Sequence, residues 1–236
     1  MTKARDTANL TGSGVGLSLL DIDAGTDIGA ALVDADLMIV DDGAGGTNRK
    51  ATMSRLATYM GTKIGGGLEF IASTDASSSA NVSFTGFDSS KYDSYQFTLA
   101  NILPATDNVF LQARVSVDGG SNYLSASDSY IVDQTTATSA GDSTAIYQSY
   151  QSLGNASLDG GFSGTCNLFG PQLNVPTYIR FSGISSKTDG QIDRYGGDHY
   201  GSGKTKAATV VNAIQFLMTS GNIASGTITM YGLVNS

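Results

Sequence analysis

Several stretches bring together residue types that can do chemistry. "GDHYGSGKTK" (197–206) places Gly-Ser-Gly-Lys-Thr where a nucleotide phosphate loop is suspected. Such a loop needs glycine, four residues and then Gly-Lys-Ser/Thr, so that backbone N–H groups curl around the phosphates. Asp198 occupies the position that should be the first glycine, and the following "AATVVNAIQFLM" reads as a strand where a helix N-terminus is required. A glycine-rich β loop is the ordinary reading. "DIDAGTD" (21–27) spaces Asp21, Asp23 and Asp27 like a calcium loop. Gly25 displaces a third ligand and no glutamate closes the loop, so turns and caps are the expectation. His199 is the only imidazole and "GFSGT" (161–165) ends in Thr165, not the glycine of a nucleophile elbow. Two aspartates could converge as glycosidase carboxylates, but no spacing selects a pair. The expectation is no enzyme, no cofactor and no metal.

One stretch does favour recognition. "DRYGGDHYGSG" crowds Tyr195, Asp198, His199 and Tyr200 among glycines, in a chain of 11 tyrosines and no tryptophan. Tyrosines on glycine-flexed loops suit sugar-like or protein surfaces. The alternative is that they pack at a sandwich edge or against a neighbouring subunit.

Those residues must be held by a chain of 236 residues with 40% hydrophobic content, enough for a real core. A net charge of −8 repels nucleic-acid backbone, so no nucleic acid is expected as partner. No run approaches the roughly 18 apolar residues of a membrane span, so no membrane insertion is expected. "MTKARDTANLTGSG" lacks the apolar segment of a secretory signal, so synthesis in a cytoplasm is expected. Cys166 is the single cysteine and Glu69 the single glutamate. Aspartate favours turns where glutamate favours helix, so many turns and little helix are expected.

Residues 1–18 read as a polar, glycine-spaced arm. Leu37-Met38-Ile39-Val40 then reads as a buried strand, and Asp41 to Asn48 as a turn. Thr52 or Ser54 can cap a helix running to Tyr59 or Met60, with Met53, Leu56 and Met60 on one stripe and Gly61 as its stop. One strand and two helical turns cannot bury enough surface unaided, so this segment is expected to pack on copies of itself. After Gly65-Gly66-Gly67 the chain reads as all β. Candidate strands are "LEFIAS", "ANVSFTGF", "SYQFTLANIL", "VFLQARVSV", "STAIYQSYQS", "YIRFSGI", "AIQFLMTS" and "GTITMYGLV". Phe110, Gln112, Arg114 and Ser116 alternate with Leu111, Ala113, Val115 and Val117, which predicts one wet face and one packed face. Ser116 to Gly120 is expected to close a hairpin. The fold class is therefore mainly β: a small strand–turn–helix module in residues 1–64, then an antiparallel, jelly-roll-like sandwich in 65–236.

Asp34 and Asp36 before Leu37-Met38-Ile39-Val40-Asp41, a Gly/Asn turn, then Arg49-Lys50-Ala51-Thr52 and Ser54-Arg55-Leu56 with Tyr59-Met60, resemble a module of tail-fibre-like and other virion proteins of tailed bacteriophages. The match covers roughly residues 28–61. More loosely, "YDSYQFTLANILPATD", "VSVDGGSNY" and "SGTITMYGL" are similar in style to phage appendage domains. The resemblance implies a non-enzymatic virion component, commonly trimeric, fixed to the particle by its N-terminal part. Its distal β domain would display a recognition surface for a host glycan or protein. Its partners would be itself and other virion proteins. In that picture Leu37, Ile39, Val40, Met53 and Leu56 pack between subunits. Asp41, Asp42, Arg49, Lys50 and Arg55 set register there or at contacts to the particle. Tyr195, Asp198, His199 and Tyr200 would meet a receptor. No coiled-coil shaft joins the two modules, so a capsid decoration or head-fibre protein, and a free carbohydrate-binding module, remain alternatives.

Overall fold

The computed structural model describes residues 29–41, 48–63, 67–134, 141–149, 152–157, 161–185 and 198–234. The chain divides into two compact units, Met1–Lys63 and Ile64–Ser236.

In the first unit, strand β1 (Leu37–Asp41) pairs antiparallel with β2 (Asn48–Thr52), and helix α1 (Met53–Lys63) follows directly. The segment expected as turn and helix entry therefore contains a strand. β-branched Thr52 favours extended backbone, and 48–52 pair back along β1 from Asp41↔Asn48 to Leu37↔Thr52. Thr52 is the cap: its Oγ1 accepts the Arg55 N–H at 3.4 Å. The Met53 and Ser54 N–H groups donate to the backbone carbonyls of Asp36 (2.9 Å) and Asp34 (3.4 Å), which dock the helix start on the turn before β1. Gly61 does not stop the helix, which runs on to Lys63. A helix interior tolerates a glycine near its end at a cost of about 1 kcal/mol.

The second unit is an antiparallel β-sandwich. Its large sheet has eight strands in the order β3-β14-β5-β10-β11-β12-β7-β8. These are β3 (Leu68–Ser79), β14 (Ile223–Val234), β5 (Tyr92–Pro104), β10 (Phe162–Phe169), β11 (Tyr178–Ser185), β12 (Asp198–Thr205), β7 (Tyr130–Gln134) and β8 (Gly141–Ser143). The small sheet runs β4-β13-β6-β9, from β4 (Val82–Thr85), β13 (Ala213–Met218), β6 (Leu111–Ser116) and β9 (Ile146–Tyr147).

The core lies between the sheets and follows the two-residue period. Tyr95, Phe97 and Leu99 of β5 point inward and are buried, while Gln96, Thr98 and Ala100 face outward. Phe97 joins the layers, its ring 5.5 Å from Phe84 on β4 and 5.4 Å from Phe216 on β13. Each such side chain contributes about 1.5–3 kcal/mol by burial. Tyr130 adds a polar tie: its hydroxyl accepts the Val115 N–H at 2.9 Å and donates to the Leu124 carbonyl at 3.1 Å.

Glycines on the large sheet make room for aromatic rings. Phe162 lies over the cross-strand pair Gly164 and Gly183, and a Cβ at Gly183 would strike its ring. Phe181 covers Gly201 on β12, where a Cβ would come within 2.6 Å of that ring.

Two expectations for β6 fail. Gln112 and Ser116 are buried, so this strand has no wet face. β6 is an interior strand of the small sheet, between β13 and β9. The turn after Ser116 forms, with Gly119 and Gly120 at φ +76° and +87°, but it leads into a loop whose Leu124 N–H returns to the Val115 carbonyl. No hairpin strand follows.

Candidate functional site

In the first unit the hairpin has two faces. Leu37 and Ile39 share one, with Lys50 opposite Ile39 in register. Met38 and Val40 share the other, with Ala51 and Arg49 opposite. The second face and α1 enclose a hollow of about 320 Å³ lined by Met38, Val40, Ala51, Arg55, Leu56 and Tyr59. Its lining is mostly apolar, with Arg55 and Tyr59 as the residues that carry polar groups. Leu37 and Ile39 are each 58% exposed on the opposite face. Of the residues from 29 to 61 whose exposure is described, none is buried. Leu37–Val40 is thus a strand, as its composition predicts, but within one chain it is not a buried one.

The charges expected to set register fall at different places. Arg55 lines the hollow, Lys50 is exposed, and Asp41 pairs through its backbone with Asn48. Met53 is half-buried at the helix start. Asp42 and the Asp21–Asp27 stretch lie outside the described residues.

In the second unit the described part of the stretch expected as a glycine-rich recognition loop, from Asp198 on, is a strand. The backbone of β12 places Asp198, His199 and Tyr200 in register with Ile184, Gly183 and Ser182 of β11, and β7 pairs with the other side of the strand from Gly201 to Thr205. Gly201 and Gly203 of this strand accommodate Phe181 and Ile146. Here glycine serves packing, not loop flexibility. The strand also removes the helix that a phosphate loop needs after Lys204. Tyr195 lies outside the described residues.

The outward face of the large sheet carries side chains, most of them polar, in rows across the strands. One row is Ser73–Thr229–Thr98–Thr165–Ser182, with hydroxyl contacts of 2.9 Å between Ser73 and Thr229 and 3.2 Å between Thr165 and Ser182. The next runs through Tyr231, Gln96, Asn167, Arg180, Ser202 and Asp133, and a third through Phe169, Tyr178, Lys204 and Ile131. Where the last two rows cross β11, β12 and β7 they leave an open hollow of about 150 Å³ lined by Ile131, Asp133, Tyr178, Ser202, Gly203 and Lys204. The Lys204 Nζ sits 5.7 Å from the Tyr178 ring centroid, a cation–π contact.

Ser202, Gly203 and Lys204 of this hollow lie in the stretch weighed as a phosphate loop, whereas Ile131, Asp133 and Tyr178 were missed in the sequence. The usable signal was the alternation in "YIRFSGI", which sends Tyr178, Arg180 and Ser182 to the face opposite Ile179 and Phe181. No protein-family model, curated protein or solved structure matches the chain.

Proposed function

We propose that this chain is a structural, non-catalytic component of a tailed-bacteriophage virion, tail-fibre-like. In this reading it self-associates as a homotrimer through residues 28–61, which also anchor it to the particle, and carries the β-sandwich outward. The observation that carries the reading is the lack of any buried residue in the described part of 29–61, in a unit with bare apolar side chains on both hairpin faces. Exposed apolar surface of that kind marks an interaction site. Closed cyclic symmetry covers such a face on every copy at once. Leu37 and Ile39 supply the apolar contact, Arg55 and Tyr59 rim the hollow, and Lys50 is placed to pair with an acidic group of a neighbour. The resemblance of Asp34 through Met60 to the phage module supplies the trimeric state and the particle.

Immunogold labelling of phage particles that encode this chain tests the proposal. Label at the tail supports it. Label in many copies over the shell replaces the tail-fibre reading with a head decoration. Particles free of the protein refute the virion role.

A further inference from the structure

We propose that the hollow on the outward face of β11, β12 and β7 binds one neutral pyranose ring of a glycan. This goes beyond the assembly reading and does not depend on it.

Size limits the occupant first. About 150 Å³ is well below the ~300 Å³ at which pockets for drug-sized ligands begin, so a single ring fits and a larger ligand must extend along the open face. Chemistry then selects the ring. Asp133 is an acceptor, Ser202 is both donor and acceptor, and Lys204 is a donor on a flexible stem. The side chains of Asp133 and Ser202 make no hydrogen bond or ion pair to another described residue. The same holds for Arg180, which stands opposite Ser202 in register. Asp133 and Ser202 thus bring unpaired polar groups to the hollow itself, and Arg180 stands beside it on β11.

Charge discriminates among ligands. A carboxylate or phosphate seated here would meet Asp133, and an ammonium would meet Lys204. A polyol satisfies both, because each hydroxyl can donate to the carboxylate and accept from the ammonium. Tyr178 provides the remaining element. Its ring, 58% exposed, offers an apolar face to the C–H side of a sugar while its neighbours take the hydroxyls. Beyond the hollow, Asn167 and the hydroxyl row through Thr165 and Thr98 continue the polar surface for further units of a chain.

Saturation-transfer NMR and calorimetry on the full chain test the site, using neutral hexoses, N-acetylhexosamines and their oligomers alongside sialic and uronic acids. The expected result is binding of one or more neutral sugars, weakened about tenfold or more by Tyr178→Ala and by Asp133→Ala. Ser73→Ala, at the far end of the face, should leave affinity unchanged. Both hollow residues are exposed, and continued protection of the buried Cys166 thiol from labelling verifies that each variant is folded. No transfer to any neutral sugar overturns the proposal. So does binding confined to the acidic sugars, or binding that survives both substitutions.

Discussion

Phe97→Ala removes the ring that ties the two sheets together. Phe97 is 0% exposed and contacts Phe84 and Phe216 on the opposite layer. Two neighbours limit any collapse into the space left behind, since β5 is held by β14 on one side and β10 on the other. The cavity should persist, which puts the cost at about 3–5 kcal/mol. With a denaturant slope of about 2 kcal/mol per molar urea, the midpoint should fall by about 1.5–2.5 M. Cys166 offers a clean reporter. It is the chain's one cysteine, it is buried, and it lies directly across from Phe97 in register. Burial pushes its thiol far above the ordinary range, so the folded sandwich should not react with a thiol reagent and the unfolded one should. Pulsed labelling across a urea series therefore reads this unit alone. Gln96→Ala, one residue along and facing outward, should shift the midpoint by no more than about 0.25 M, in line with ~0.5 kcal/mol for a surface change. A shift below about 0.5 M for Phe97→Ala, or labelling of the native wild type, would refute the two-layer packing argued here.

Tyr130→Phe keeps the ring but leaves the Val115 N–H without the hydroxyl that accepts it, and should cost about 1–3 kcal/mol in the same labelling series. A cost within ~0.5 kcal/mol would mean that the hydroxyl ties nothing. Asp118 accepts hydrogen bonds from the Asn122 side chain and backbone at 2.8 Å each and from the Ser116 hydroxyl at 2.7 Å. The Asn122 bonds are the main reason its carboxyl is lowered from 3.8 to about 2. A depressed carboxyl stabilises the folded state above its unfolded value and loses that contribution as pH falls through the folded one. The midpoint difference between wild type and Asp118→Ala should therefore be full at pH 6 and shrink between pH 4 and pH 2. An unchanged difference would contradict the assignment.

The sequence made the fold class legible because burial on one face writes a two-residue period. "SYQFTLANIL" and "GTITMYGLV" carry it plainly, and both are interior strands of the large sheet. β10 and β12 were hidden by glycine. In "FSGTCNLF" the Phe162 ring of the same strand lies over Gly164, and in "DHYGSGKT" Gly201 and Gly203 are filled by Phe181 and Ile146 of other strands. Local patterning cannot register a ring supplied from elsewhere in the chain. β6 misled for the opposite reason: Gln112 and Ser116 are polar yet buried, so alternation in polarity did not report exposure. The bare apolar strand of the first unit was visible in Leu37–Val40, along with its failure to find a core in so short a segment. The sugar-sized hollow was not, because Asp133, Tyr178 and Lys204 meet only through the order of β11, β12 and β7.

Light scattering on the full chain over a range of concentrations, compared with a Leu37→Asp/Ile39→Asp variant, measures whether the first unit, with no buried residue among those described, recruits other copies. The wild type should scatter as three times the 24.3 kDa of one chain and the variant as a single chain, with Cys166 still protected in both. A wild type that stays monomeric at every concentration, or a variant that assembles just as well, would contradict assembly through the first unit.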